Sequence, residues 1–135
     1  MKRHLSSLSM LIGALAITVL SLGLLPALQA QATGADLRDP SVLAQRIESA
    51  PASFRLIDVR TPGEFAQGHI PTAENIDYRR IATRMAEGDR DALIVVYCRS
   101  GSRSARAART LASLGYTNVV DFGGIIRWNG PVERS

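Results

Sequence analysis

Residues 92–115, ALIVVYCRSGSRSARAARTLASLG, carry the strongest indication of the fold class. The run Ala92–Tyr97 is apolar and rich in β-branched residues, which is typical of a strand covered on both faces. A helix that begins at Ser102 or Arg103 is predicted to follow, and Gly115 stands just after it, where a left-handed C-cap is favoured. A buried strand, a short loop and a helix in this order indicate a parallel α/β sheet.

The rest of the chain repeats this alternation of strands and helices. Asp39 is a suitable N-cap for a helix whose first residue is Pro40. The other predicted elements are a strand over 54–59, a short helical piece over 64–66, an extended segment over 73–76, a helix over 78–87 and a strand over 118–122. The sequence therefore predicts an α/β domain with a mostly parallel central sheet flanked by helices.

Ligands of open parallel sheets bind beyond the carboxyl ends of the strands. Two segments rich in reactive or charged side chains occupy such positions here. Asp58–Arg60 comes at the end of one strand, and Cys98–Arg103 follows another. Because parallel strands end at the same edge of a sheet, we expect the two segments to lie close together.

The first 32 residues have the organisation of a secretory signal peptide. Met1–His4 is short and basic, Leu8–Leu25 is almost wholly apolar, and Ala30–Ala32 is a small-residue processing site. We expect cleavage after Ala32, or two residues earlier, which leaves residues 33–135 as a single periplasmic or secreted domain. The alternative is an uncleaved segment that anchors the chain in the inner membrane, because the apolar run approaches the length of a bilayer span.

The charge of the mature domain is modest. Removal of the leader takes away Lys2 and Arg3, and fourteen arginines then face twelve acidic residues, a net charge of about +2. A basic tail and interleaved aromatic residues are both missing from this sequence, so nucleic-acid binding is not expected. After signal cleavage, membrane binding is not expected either.

Cys98 is the single cysteine of the chain, so an intrachain disulfide is impossible. It stands between a buried strand and the start of a helix, in a Ser/Gly loop that also contains Arg99 and Arg103. Backbone N–H groups of such a turn can converge on an anion, and helix N-termini and nearby arginines lower the pKa of a cysteine. A buried structural cysteine is the alternative, but the flanking arginines favour a nucleophile in an anion-binding loop.

Three segments carry motifs that occur together in one known family. They are LIDVRTPGEFAQGHIPTAENI (56–76), VVYCRSGSRSARAARTLASLGY (95–116) and VVDFGGIIRWNGP (119–131). With D-V-R, E-F, G-H-I-P, C-R-S-G-x-R-S and G-G…W in this order, the chain resembles a single-domain rhodanese of the secreted or periplasmic type. The resemblance implies a three-layer rhodanese-like fold and a thiosulfate sulfurtransferase that needs neither a metal nor an organic cofactor.

The resemblance also implies roles for individual residues. Cys98 would take a sulfane sulfur as a persulfide and pass it to a thiol, to cyanide or to a protein acceptor. Asp58 and Arg60 would support the site from the neighbouring strand end. The donor, a thiosulfate-like anion, would be bound by the residues after the cysteine, namely Arg99, Ser100, Gly101, Ser102, Arg103 and Ser104.

Two other functions are compatible with this loop. A periplasmic persulfide carrier or docking module with little free turnover would keep the same cysteine and the same loop. A cysteine phosphatase of related architecture needs five residues between its cysteine and its arginine, whereas four lie between Cys98 and Arg103. This spacing disfavours the phosphatase.

Thr72 departs from the pattern of the family, which usually has glycine at this position. A β-branched residue resists positive φ. We therefore expect the turn around Thr72 to be shaped differently, without effect on the chemistry of the cysteine loop.

Overall fold

The computed structural model of the protein describes residues 36–135. The predicted signal peptide, its cleavage site and the alternative membrane anchor lie outside these residues. Within the described range, no helix combines the length and the apolar character needed to cross a membrane.

Helices and strands alternate along the described part of the chain. The helices are α1 (Pro40–Ser49), α2 (Pro62–Gln67), α3 (Ile81–Arg84) and α4 (Ser102–Ser113). The strands are β1 (Arg55–Asp58), β2 (Glu74–Asn75), β3 (Ile94–Cys98) and β4 (Val119–Gly124). Short 3₁₀ turns follow α1 and β4, at Pro51–Ser53 and Ile125–Arg127.

The four strands form one parallel sheet in the order β2–β1–β3–β4. All five residues of the interior strand β3 are buried, as its apolar sequence predicts. The ends of β1 and β3 lie side by side, because Asp58 pairs with Tyr97, the residue before Cys98. The predicted parallel α/β architecture is confirmed, and the two chemically rich segments emerge from adjacent strands at the same edge.

Helices cover both faces of the sheet, because successive side chains of a strand point to opposite sides. On one face the strands pack with α3 and α4 around a core that includes Ile57, Val59, Ile81, Ile94, Val96, Cys98, Ala107 and Leu111. On the other face they pack with α1 around a core that includes Leu43, Leu56, Val95, Tyr97 and Phe122. The result is the expected three-layer arrangement, in which Cys98 belongs to the layer of α4.

The helix expected over 78–87 is much shorter, because α3 spans only Ile81–Arg84. Asp77 accepts a hydrogen bond from the backbone N–H of Arg79 at 3.0 Å, and this turn delays the start of the helix. Beyond the end of α3, the guanidinium of Arg90 donates to two backbone carbonyl oxygens. Local hydrogen bonds of polar side chains thus compete with the helix at both of its ends.

Thr72 adopts a left-handed backbone conformation, with φ at +69°. The N–H of Ala73 donates to the carbonyl oxygen of Ile70 at 3.1 Å. Pro71 and Thr72 are therefore the two central residues of a turn, and proline followed by positive φ is the pattern of a type II turn. Contrary to our expectation, the threonine itself takes the conformation that favours glycine.

Candidate active site

Cys98 ends β3, and only 1% of its surface is exposed. The backbone N–H of Gly101 donates to its Sγ at 3.0 Å. Gly101 has a φ of +113°, a conformation that glycine adopts without steric cost. This glycine turns the chain so that the loop closes over the sulfur before α4 begins at Ser102.

Ser104 lies in the first turn of α4 and is fully buried against the loop. Its Oγ is 3.7 Å from the Sγ of Cys98. The hydroxyl also lies within hydrogen-bond distance of the carbonyl oxygens of Gly101, at 2.9 Å, and of Gly123, at 3.2 Å. A hydroxyl has one rotatable proton, so it can donate to a carbonyl oxygen or turn towards an ionised sulfur.

Opposing effects set the pKa of the Cys98 thiol. Burial acts to raise this pKa, because it disfavours the charged thiolate. Backbone hydrogen bonds from Ser104, Gly101 and Ser100, together with the Ser104 hydroxyl, favour the thiolate. The hydrogen bonds prevail, so the pKa of Cys98 lies below its ordinary value and the reactive thiolate is more abundant than in a free cysteine.

The loop after Cys98 presents polar side chains to solvent. Arg99, Ser100 and Ser102 are exposed, whereas Gly101 is half-buried. The guanidinium of Arg99 forms no ion pair with any side chain of residues 36–135. It therefore contributes an uncompensated positive charge next to the cysteine.

Gly124, the last residue of β4, allows the loop to lie against the sheet. A Cβ atom at this position would stand 2.5 Å from the carbonyl oxygen of Arg99 and 2.8 Å from the Cα of Ser100. The same carbonyl oxygen accepts a hydrogen bond from the N–H of Ile126 at 3.3 Å. The end of β4 thus supports the loop from behind, and any side chain at position 124 would displace it.

Arg103 is held by an ion pair with Glu64. The two terminal nitrogens of the arginine donate to the two carboxylate oxygens, each at 2.7 Å. Glu64 also accepts hydrogen bonds from the N–H and hydroxyl of Thr61, in the capping box that begins α2. The hydrogen bonds with Arg103 are the main reason why the pKa of Glu64 falls to about 2. The pair ties α2 to the first turn of α4.

Asp58 and Arg60 form a buried ion pair at the end of β1. The Nη2 of Arg60 lies 2.6 Å from the Oδ2 of Asp58, and the same nitrogen donates to the carbonyl oxygen of Gly68 at 2.7 Å. Burial, followed by the negative charge of Asp58, raises the pKa of the neighbouring Tyr97. Through the ion pair and the hydrogen bond to Gly68, Asp58 and Arg60 connect the end of β1 to the loop that follows α2.

A cleft of about 430 Å³ opens beside the cysteine loop. Its walls contain both charged and apolar side chains, and one of the apolar side chains, Ile126, is 68% exposed. The residues that line it are Arg60, Glu64, Gln67, Gly68, Arg99, Ile125 and Ile126. Across residues 36–135, no cluster of three or more His, Cys, Asp or Glu side chains could hold a metal ion.

Glu64 and the two isoleucines of the cleft are missing from the sequence-based list of site residues. Glu64 belongs to the E-F motif named above and to the T-x-x-E pattern of Thr61–Glu64, which is typical of a helix capping box. That pattern explains the start of α2 but does not reveal a partner 39 positions further along the chain. Ile125 and Ile126 carry no motif of their own.

Comparison with known proteins agrees with this architecture. Residues 39–130 match the family described as the Rhodanese-like domain. A sulfurtransferase of Allochromatium vinosum is 43% identical over 91 residues, covering 67% of this chain and 84% of that protein. The thiosulfate sulfurtransferase PspE of Escherichia coli is 37% identical over 76 residues, covering 55% of this chain and 73% of that protein. A solved rhodanese with anions from E. coli has a TM-score of 0.57 at 32% identity, covering 60% of this chain and 98% of that one.

Proposed function

The chain belongs to the rhodanese family, and on this basis we propose that it moves a sulfane sulfur from thiosulfate, or a similar donor, to a thiophilic acceptor through a Cys98 persulfide. The observation that carries the proposal is the N–H of Gly101 at 3.0 Å from the Sγ of Cys98, in a loop that lowers the pKa of the thiol. The thiosulfate sulfurtransferase PspE, 37% identical, supports thiosulfate as the donor.

In the first step the thiolate of Cys98 attacks the outer sulfur of thiosulfate. A new S–S bond forms on the cysteine, the S–S bond of thiosulfate breaks, and its electron pair leaves with sulfite. The cysteine becomes a persulfide anion, so the total charge is unchanged. The N–H groups of the loop, with the Arg99 side chain, stabilise the charge that develops on the leaving sulfite.

In the second step the acceptor attacks the terminal sulfur of the persulfide. With cyanide, a C–S bond forms, the S–S bond of the persulfide breaks, and its electron pair returns to Cys98 as the thiolate while thiocyanate departs. With a thiolate acceptor, the sulfur ends in a new persulfide on the acceptor. Each step transfers one sulfur atom between nucleophiles, which is covalent, ping-pong catalysis.

Thiocyanate formation from thiosulfate and cyanide tests the proposal. We expect steady turnover by the wild-type protein and loss to background in Cys98→Ser, because a serine oxygen cannot form the persulfide. Ser113→Ala, which changes an exposed hydroxyl at the far end of α4, is the matched control and should keep the wild-type rate. Turnover that survives in Cys98→Ser would refute the persulfide mechanism.

A persulfide carrier that hands its sulfur to a protein acceptor is the second candidate. The observation in its favour is Ile126, a large apolar side chain that is 68% exposed in the wall of the cleft. Intact-mass analysis separates the two candidates. A gain of about 32 Da on Cys98 with thiosulfate, without thiocyanate turnover, would favour the carrier.

We also propose that residues 1–32 are a cleaved signal peptide and that the domain works in the periplasm or outside the cell. The basic start, the apolar run and the small-residue site at Ala30–Ala32 support this proposal. The mature protein should begin between Ala30 and Thr33 by mass. An intact N-terminus in the membrane fraction would instead support the anchored form.

A further inference from the structure

The guanidinium of Arg103 is engaged by Glu64 rather than directed to a free anion. Each of its terminal nitrogens lies 2.7 Å from a carboxylate oxygen, which is bidentate geometry. The side chains of Arg103 and Glu64 are 27% and 31% exposed, so water screens the pair only in part. The hydrogen bonds raise the pKa of Arg103 and lower that of Glu64 to about 2. Both groups are charged at neutral pH, and the pair adds no net charge to the site.

Arg60 and Arg99, the other two arginines among the predicted site residues, differ in whether an acidic side chain pairs with them. Arg60 is neutralised by Asp58 in their buried ion pair. Arg99 is exposed, and no acidic side chain in the described part of the chain lies within ion-pair distance of it. Of these three arginines, only Arg99 therefore offers the substrate a positive charge without a paired carboxylate, and the backbone N–H groups of the loop add to it.

We propose that Glu64 is a positioning residue: by holding Arg103, it sets the charge of the Cys98 loop and limits the preference of the protein for dianionic over monoanionic sulfur donors. This inference rests on the sulfur-transfer function proposed above. A released Arg103 would add a further unpaired cation, and a doubly charged anion gains about twice as much Coulomb energy from it as a singly charged one.

Glu64 also has a structural role in α2, from which its role in the site must be separated. Its carboxylate accepts hydrogen bonds from the N–H and the hydroxyl of Thr61. Thr61→Val removes only the hydroxyl and leaves the backbone N–H and the pair with Arg103. This variant therefore weakens the cap without changing the charge of the loop.

The first experiment compares thiosulfate, a dianion, with methanethiosulfonate, a monoanion that also delivers an outer sulfur to a thiolate. In Glu64→Gln we expect the KM for thiosulfate to fall roughly twofold to fivefold relative to that for methanethiosulfonate, the size of a partly screened charge interaction. Thr61→Val should keep the wild-type ratio of the two KM values. The double variant Glu64→Gln/Arg103→Gln should also keep the wild-type ratio, because removing both charges of the pair leaves the net charge of the loop unchanged.

The single variant Arg103→Gln should change the ratio of the two KM values in the opposite direction. It leaves Glu64 uncompensated, so the KM for thiosulfate should rise relative to that for methanethiosulfonate. Equal changes of both KM values in Glu64→Gln, or an unchanged ratio in Glu64→Gln and Arg103→Gln alike, would contradict the proposal and leave Glu64 a purely structural residue.

Protection of Cys98 by sulfate gives a second measurement that does not need turnover. Sulfate is a dianion, and its binding at the loop should slow alkylation by iodoacetamide at constant ionic strength. In Glu64→Gln the half-protecting sulfate concentration should fall roughly twofold to fivefold. If Cys98 accepts sulfur from neither donor, the proposed function fails. If sulfur transfer proceeds while the KM ratio and the sulfate protection stay at wild-type values, only the role of Glu64 fails.

Discussion

The N–H of Gly101 lies 3.0 Å from the Sγ of Cys98, and this hydrogen bond closes the loop over the sulfur. It exists because Gly101 adopts a φ of +113° and turns the chain back towards the strand it has just left. The N–H groups of Ser100 and Ser104 add to the same effect on the thiolate. The reactivity of the cysteine is therefore built largely into the backbone of the loop.

Alkylation of Cys98 should reach its half-maximal rate at a lower pH than that of a free cysteine. The thiolate is the form that reacts with iodoacetamide, so a lowered pKa shifts the whole pH profile downwards. Ser104→Ala removes a hydroxyl that favours the thiolate, and its profile should move back to higher pH. Ser113→Ala, whose hydroxyl is bonded to the carbonyl oxygen of Arg109, should match the wild type. Identical profiles for Ser104→Ala and the wild type would show that the hydroxyl does not stabilise the thiolate.

Gly124→Ala should damage both the stability and the activity of the protein. The new Cβ would stand 2.5 Å from the carbonyl oxygen of Arg99, and backbone atoms must move to relieve this overlap. We expect a loss of about 1–3 kcal/mol in the free energy of unfolding, measured by urea denaturation, and at least a tenfold loss of thiocyanate formation. Gly63→Ala is the control, because nothing lies within 4 Å of its Cβ. A Gly124→Ala protein with wild-type turnover would show that the loop tolerates displacement.

Asp58→Asn tests whether the buried ion pair holds the strand end together. Removing one charge leaves the guanidinium of Arg60 buried without its counter-ion, which typically costs about 3–5 kcal/mol of stability. Glu74→Gln breaks the ion pair between Glu74 and Arg55, two side chains that are each 42% exposed. This variant should lose less than about 1 kcal/mol of stability. Urea denaturation of both variants checks the contrast. Equal small losses would mean that Arg60 finds another partner when Asp58 is neutralised.

The strand, loop and helix around Cys98 follow directly from the sequence. A continuous apolar run, a glycine-containing loop and a helical segment ended by Gly115 agree with one another, and the structure places them as β3, the loop and α4. Such agreement between local signals makes a parallel α/β unit predictable. The adjacency of Asp58 and Cys98 follows from the same topology, because parallel strands end at one edge.

Contacts between distant side chains are a different matter. The pairing of Glu64 with Arg103 joins residues 39 positions apart, and nothing local to either residue indicates it. Local hydrogen bonds also escape prediction. Those of Asp77 and Arg90 shorten the helix expected over 78–87, and the pattern of apolar residues gives no indication of them. The Glu64–Arg103 pair was therefore beyond prediction because it depends on the tertiary fold, and the length of α3 because it depends on side-chain hydrogen bonds.

The Glu64–Arg103 pair should make stability depend on acid pH. The pKa of Glu64 in the folded protein is about 2, below its ordinary value of 4.5. The pair therefore stabilises the fold fully above pH 4.5 and loses this contribution as the pH falls from 4.5 towards 2. Since both partners are partly exposed, we expect the pair to contribute about 1 kcal/mol to the free energy of unfolding at neutral pH. Urea denaturation at pH 7 and pH 2.5 should show wild type more stable than Glu64→Gln at pH 7 only. A difference that persists undiminished at pH 2.5 would contradict this linkage.

Thr72→Gly should stabilise the protein, although it removes a side chain. Thr72 has a φ of +69°, and a left-handed backbone costs a residue with a Cβ about 1–2 kcal/mol. Glycine removes that cost but makes the unfolded chain more flexible, which offsets about 0.4–1 kcal/mol. The net gain in the free energy of unfolding should be about 0–1.6 kcal/mol by thermal or urea denaturation. Thr83→Gly, an exposed position within α3, should destabilise instead, since glycine disfavours a helix. If Thr72→Gly lowered stability as much as Thr83→Gly does, the turn at Pro71 and Thr72 would carry no backbone strain.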